Sequence, residues 1–451
     1  MTFYPSTVTP PPAPLGTWRS LAAALKNPLE MWSADMFETD VSVMRWPGGR
    51  FITVTSPELA RQVLLDDAES YVKSTLVNRI LKPAMGEGLL TAEGEAWRAQ
   101  RRAASPVFRH EKLVPLVPSM SKFVGQTAAA LRALPDGSRV DVMQVMMATT
   151  LDIVVETLFG DPGPHYDRDR TIEDVDRYFR THGVVGFSDY VGLPEWFPRL
   201  RHRGRGAIRR LRETARAFAE SRATPVDGMD SLTSLIGRAV DPQTGKALRL
   251  EEVVDNVVTF VGAGHETTAL AVTWALSILA NLPQLQEQLH AEAEEICGKD
   301  PVTAEAIDRL DLHRRVIQET MRLYPPTPAV GRTAIRSTRL GDLTIGKGDH
   351  LTIAVYVLQR HAKHWHDPAG FDPDRFDEAE IRKRHRFAYM PFGGGARICI
   401  GMKLATMEAT VLLATLMREL RFAPDPDHAI YPQMSITLRP CGGMPLFVRS
   451  A

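Results

Sequence analysis

Cys399 stands in a glycine-rich run, Pro391-Phe392-Gly393-Gly394-Gly395-Ala396-Arg397-Ile398-Cys399-Ile400-Gly401, that leads into a helical pattern starting near Met402. Such a run brings backbone amides close to a sulfur. Amide donors and a helix N-terminus lower a thiol's pKa and moderate the charge of the thiolate, which is then a ligand for a metal. Arg397, two residues earlier, offers a cation to an anionic part of the same ligand. Taken alone, the run also reads as a buried structural cysteine or as a phosphate-cradling glycine loop, although the latter lacks its lysine and serine.

Three further constellations carry chemistry. Ala263-Gly264-His265-Glu266-Thr267-Thr268 lies in the most apolar stretch of the chain, residues 256–282. A glutamate there is costly unless it is hydrogen-bonded or protonated, and Thr267 can bond backward to a carbonyl and bend a helix. Gly264 leaves room for something to approach, though a threonine-rich packing face with a satisfied glutamate is the plainer reading. Glu319 and Arg322 share a helix face, where an exposed pair contributes only about 0.2 to 0.5 kcal/mol, and Arg375 follows in Phe371-Asp372-Pro373-Asp374-Arg375-Phe376. Trp97 and Arg101, one turn apart, set two donors on one face, which suits a pair of carboxylates or a surface stack.

Together these residues resemble the cytochrome P450 family. Phe392, Gly395, Arg397, Cys399 and Gly401 match F-x-x-G-x-R-x-C-x-G at every defined position, and Ala263, Gly264, Glu266, Thr267 and Thr268 match the family's oxygen-groove pattern. The E-x-x-R and W-x-x-x-R pairs stand in the family's order, so the resemblance spans residues 97 to 401 and leaves the first 40 or so unaccounted for. It implies haem b (iron protoporphyrin IX) with Cys399 as axial thiolate, a ligand that favours O-O cleavage. It further implies that Trp97, Arg101 and Arg397 hold the haem propionates, that Arg332 adds another propionate contact, and that Phe392, Gly395 and Gly401 shape the loop. By the same resemblance Ala263 and Gly264 form the oxygen groove, Thr267 hydrogen-bonds the oxygen on the iron, and Glu266 helps relay protons. Glu319, Arg322 and Arg375 form a buried network behind the haem.

The implied activity is insertion of one atom of O2 into a hydrophobic small-molecule substrate, by hydroxylation or epoxidation. A ferredoxin or flavodoxin with its reductase supplies the electrons, docking where Arg98, Arg101, Arg102, Arg109 and Lys403 form a basic surface. A peroxide-driven peroxygenase of the same fold typically lacks the acid-alcohol pair Glu266-Thr267. A haem-thiolate sensor or carrier without turnover leaves the oxygen groove unexplained.

The elements that must position these residues are legible in outline. The chain has 451 residues, 44% hydrophobic and 24% charged, which is ordinary for a globular protein with a large core. Lys plus Arg (54) equals Asp plus Glu (54), so no global field argues for nucleic acid or an acidic membrane. Three scattered cysteines fit a reducing compartment, here read as the cytoplasm. The proline-rich start has neither signal-peptide nor anchor character, and residues 256–282 read as a buried helix rather than a transmembrane anchor.

Residues 41–46 and 50–55 flank Pro47-Gly48-Gly49 as a hairpin, with Ser56 capping the next helix. Helical spacing runs from about 57 to 325, and short strands such as LTIAVYVL and ITLRP follow. The expected fold is therefore mainly α with small β-sheets (α+β). It comprises an extended arm and first helix over residues 1–40, then one haem domain over 41–451, monomeric, with haem between a long central helix and the cysteine loop. Apolar segments around 75–90, 180–190, 327–332 and 433–436 are expected to line the pocket without naming a substrate. His361, His364 and His366 read as surface or loop histidines, the eight arginines from Arg199 to Arg216 as a solvated face, and Cys297 and Cys441 as buried fillers or inert thiols.

Overall fold

A computed structural model describes residues 2–46, 48–159, 167–182, 186–190, 205–221 and 232–451. The first helix is α1 (Thr17–Lys26), followed by the hairpin strands β1 (Val41–Trp46) and β2 (Gly49–Val54). Ser56 caps the next helix by accepting from Leu59 N at 3.3 Å. Strand β3 (Tyr71–Lys73) leads into α2 (Thr75–Met85), α3 (Gly94–Ala104) and α4 (Val142–Phe159). The long central helix α5 spans Leu250–Leu279, and α6 spans Asp311–Leu323. Strands β4 (Val330–Ala334) and β5 (His350–Ile353), helix α7 (Met402–Glu419) and the hairpin β6 (Pro432–Met434) and β7 (Leu438–Pro440) complete the frame of the site.

Five strands form one sheet in the order β1-β2-β5-β4-β3. Its register sets Lys73 directly opposite Arg332, which brings two cations together at one end of the sheet. Helix α5 runs through the core, buried almost all round over its second half, where apolar side chains occur on every face. Its threonines satisfy their hydroxyls within the helix, as Thr273 does by donating to Ala269 O at 2.7 Å. Thr150 of α4 donates to His265 O at 2.9 Å, so the neighbouring helix pins α5 beside Glu266. The main core gathers around Trp274, stacked on Tyr324 at 4.0 Å, and includes Val8, Leu29, Trp32 and Met36 from the first forty residues.

Several expectations need correction. The run LTIAVYVL is strand only to Ile353, since Val355–Leu358 turns into a helical segment, and short strands at Tyr71–Lys73 and Ser138–Asp141 interrupt the helical body. His361 is fully buried, with Nε2 3.1 Å from Thr39 O, so it is a loop but not a surface residue. Cys441 is exposed rather than a buried filler, and Cys297 is half-buried. Arg199, Arg201 and Arg203 lie outside the described residues. Of the rest of that run, Arg210 pairs with Asp174, Arg212 with Asp255 at 2.7 Å and Arg216 with Glu251, so much of the charge is neutralised internally. Among the described residues no helix is long and apolar enough to cross a membrane.

Candidate active site

The cysteine loop is built on glycine geometry. Gly393 and Gly395 have φ of 72° and 67°, a left-handed conformation that L side chains rarely adopt. At Gly395 a Cβ would also lie 1.8 Å from Leu64 O, so the loop rests directly on that backbone. Cys399 N donates to Phe392 O at 3.0 Å and closes the loop. The Gly401 amide donates to the Cys399 sulfur, and a Cβ on Gly401 would meet open space.

Cys399 opens onto a cavity of about 780 Å³ that Phe392, Arg397 and Gly401 also line. Deep setting pushes its thiol up from the ordinary value, against the smaller opposing effects of the Gly401 amide and of Arg101 and Lys73. That reverses the lowered value expected from the loop, because desolvation of a thiolate outweighs one amide bond. A bound cation is what would hold this sulfur as thiolate.

Beside Cys399 the cavity collects positive charge. Trp97 and Arg101 of α3, Lys73 of β3, Arg332 of β4 and Arg397 of the loop all line it. The Arg397 guanidinium sits 4.0 Å from the centre of the Trp97 ring, donates to Ala92 O at 2.8 Å and pairs with Glu93 at 2.5 Å. Glu93 also accepts from Lys73 N at 2.9 Å, and Lys73 Nζ donates to Leu90 O. Burial, then Arg397 and Arg332, push the Lys73 ammonium down to about 7. Burial and Arg397 likewise push Arg332 down to about 10.

Four cations crowded against one carboxylate are electrostatically incomplete. A ligand bearing carboxylates would complete them, and haem, with two propionates and an iron that accepts thiolate, fits this donor set. Trp97, Arg101, Arg332 and Arg397 were singled out by sequence; Lys73 and Glu93 were not. The one signal for Lys73 was a lysine ending an otherwise apolar strand. Lys73→Met is expected to remove a charge-assisted hydrogen bond of about 1.5 to 3 kcal/mol, speeding haem loss to apomyoglobin by about tenfold or more. An unchanged rate would remove Lys73 from the haem contacts.

On α5, Ala263, Gly264, Thr267 and Thr268 line the cavity. Thr267 Oγ1 donates to Ala263 O at 2.8 Å. The space left by Gly264 serves helix packing, since a Cβ there would lie 3.3 Å from Val154 of α4. Glu266 is 1% exposed and is absent from the cavity wall. Its carboxylate turns to the β6-β7 hairpin, accepting from the Thr437 hydroxyl and pairing with Arg439 Nε at 2.7 Å. Adjacent residues on a helix do not share a face, so the acid and the alcohol point different ways. That pairing was missed because Thr437 and Arg439 read only as strand residues.

Behind the loop, Glu319 and Arg322 are fully buried and joined by two bonds of 2.7 Å. Arg322 also donates to the carbonyls of Gln359 (3.0 Å), Pro368 (2.7 Å) and Gly370 (2.8 Å), while Arg375 pairs with Glu319 at 3.4 Å. Burial pushes the Glu319 carboxyl up, with Arg322 opposing. Gln359 connects this network to the loop, donating to Met321 O at 2.9 Å and accepting from Met390 N at 2.9 Å. Glu319, Arg322 and Arg375 do not touch the cavity; they meet the cysteine loop through Gln359.

Known proteins agree with this geometry. Residues 17–445 match the family model described as "Cytochrome P450". Cyclooctatin synthase of Streptomyces melanosporofaciens is 30% identical over 97% of this chain and 95% of its own. Cyclooctat-9-en-7-ol 5-monooxygenase of the same organism is 30% identical over 90% and 88%. The crystal structure of the cytochrome P450DA heme domain superposes with a TM-score of 0.85 over 99% of both chains at 24% identity, which speaks for the fold. With a sulfur donor, a cation cluster for carboxylates and a threonine-lined helix around one cavity, and with these matches over nearly its whole length, the chain belongs to the cytochrome P450 family of haem-thiolate monooxygenases.

Proposed function

We propose that this chain inserts one atom of O2 into a bulky, largely apolar organic substrate by hydroxylation or epoxidation. The observation that carries the reading is that Cys399 and Thr267 open onto the same cavity, whose remaining wall is largely apolar, with Leu76, Val77, Ile80, Phe108 and Phe260 among its residues. Segments 75–90, 327–332 and 433–436 contribute to that wall, as does Tyr190. A pocket of this kind selects by shape and apolar contact.

Haem b bound by Cys399, Trp97, Lys73, Arg101, Arg332 and Arg397 would supply dioxygen activation, with the thiolate favouring O-O cleavage. The chain's own part is position and protons. Thr267 gives up its bond to Ala263 O to donate into the cavity. Arg439 and Thr437 hold Glu266 turned aside, so it joins proton delivery only when the hairpin shifts.

Electrons come from a ferredoxin or flavodoxin with its reductase, docking on the cysteine side. The basic surface for it is thinner than the sequence suggested. Arg98 pairs with Glu95 at 2.9 Å, Arg102 with Asp241 at 2.8 Å, and Arg101 lines the cavity, whereas Arg109 and Lys403 are exposed. The three unpaired cysteines support a reducing compartment, the cytoplasm, and we take the chain to act as a monomer. The test is turnover under labelled dioxygen with a ferredoxin, its reductase and NADPH, against a panel of apolar ring compounds. One labelled oxygen per product molecule is expected. Product formed at full rate from hydrogen peroxide alone would make the protein a peroxygenase, and no product with any substrate that perturbs the haem spectrum would make it a carrier.

A further inference from the structure

Glu408 lies in α7, downstream of Cys399, and nothing above gives it a role. It is 2% exposed and lines the cavity together with Thr268 and Ala271 of α5 and with Thr437 and Arg439 of the hairpin. Its Oε1 is buried without a hydrogen-bond partner. Burial drives its carboxyl well above the ordinary value. The resident form is therefore the neutral acid, which carries a proton into the cavity.

Glu266 presents the contrary case. Its Oε1 is engaged by Arg439 and Thr437, and the residue stands off the cavity wall. An apolar residue would fill the Glu408 position without leaving a buried polar atom unpaired. A neutral acid bordering the cavity where protons are consumed is what proton supply requires.

We propose that Glu408 is the proton reservoir for the oxygen-binding side of the cavity, passing protons through water along Thr268 to the site beside Thr267. In each transfer the Glu408 O-H bond breaks, a water beside Thr268 takes that proton and passes on one of its own. The carboxylate left behind recovers a proton from solvent through water beside Thr437 and Arg439, the latter being partly exposed. No electron moves. The inference rests on the monooxygenase reading above.

The test compares the haem-loaded full chain with Glu408→Gln, which keeps the shape but holds no transferable proton, and with Glu408→Asp. The infrared spectrum at neutral pH should show a neutral-carboxyl band that Glu408→Gln lacks. In turnover, product formed per NADPH should fall by about tenfold in Glu408→Gln, with a larger solvent deuterium isotope effect and partial recovery in Glu408→Asp. Thr268→Val, which interrupts the path and leaves Glu408 in place, should reproduce the loss, and it decides the matter if Glu408→Gln does not fold. Unchanged coupling and isotope effect in either variant, or no such band, overturns the proposal. The carbon monoxide spectrum is expected to be unaltered in all variants. A wild-type spectrum without a thiolate signature would sink the haem reading instead, while the infrared band would still report on Glu408.

Discussion

Arg322→Ala is expected to give protein that neither retains haem nor reaches wild-type stability. The guanidinium makes two bonds of 2.7 Å to Glu319 and reaches three backbone carbonyls, all with both side chains fully buried. Removing it leaves the buried Glu319 carboxyl with only Arg375 at 3.4 Å and the Asp372 amide at 3.0 Å and strands those carbonyls, a loss of about 3 to 5 kcal/mol for a broken buried pair. Total stabilities run to about 5 to 15 kcal/mol, so this is a large fraction. The damage reaches the site through Gln359, which bonds both the end of α6 and Met390 at the start of the cysteine loop. Arg322→Lys is expected to fail nearly as badly, because an ammonium cannot span the fork and the carbonyls together. Haem per polypeptide and the thermal unfolding midpoint are the measurements. Normal values for purified Arg322→Ala would show that the network does not support the loop.

The second large effect is expected at Thr267. Thr267→Ala should bind haem and substrate as the wild type does, because its hydroxyl bonds only within the helix, to Ala263 O at 2.8 Å, and the methyl left behind fits the same turn. Loss of this cavity-lining hydroxyl should instead misdirect the electrons, lowering product per NADPH by about tenfold or more and releasing the balance as peroxide. Coupling equal to the wild type would leave Thr267 without its assigned part. The two variants separate cleanly, one losing the cofactor and the other keeping it while wasting electrons.

Legibility of the site in the sequence follows the range of its contacts. Phe392, Gly395, Arg397, Cys399 and Gly401 form one continuous loop, and Trp97 with Arg101 one helix turn, so spacing alone displays them. Lys73 and Glu93 belong to the same cluster, yet their places depend on a strand register, Lys73 opposite Arg332, that joins segments far apart in the chain. No local pattern carries that information. Glu266 shows the opposite failure. Its neighbour Thr267 suggested a shared task, whereas the helix turns the two apart and the C-terminal hairpin captures the acid.

The fold reads in the same way. Helix α5 is plain from an apolar stretch of full helical length, and the β1-β2 hairpin from its Pro-Gly-Gly turn. The run LTIAVYVL misled because apolar residues of one kind serve both the strand to Ile353 and the helical turn from Val355. Short apolar runs do not distinguish the two states. His361 reads as a surface or loop histidine, and it is a loop residue, but a buried one, because its partner, the Thr39 carbonyl, lies far away in sequence.

The central claim is that the Cys399 thiolate is the axial ligand of a haem in this cavity. The spectrum of the dithionite-reduced protein under carbon monoxide tests it most directly. The account predicts a red-shifted Soret band of thiolate-ligated haem that Cys399→Ser abolishes; a band of the histidine-ligated kind in the wild type, or a red-shifted band that survives Cys399→Ser, would contradict it.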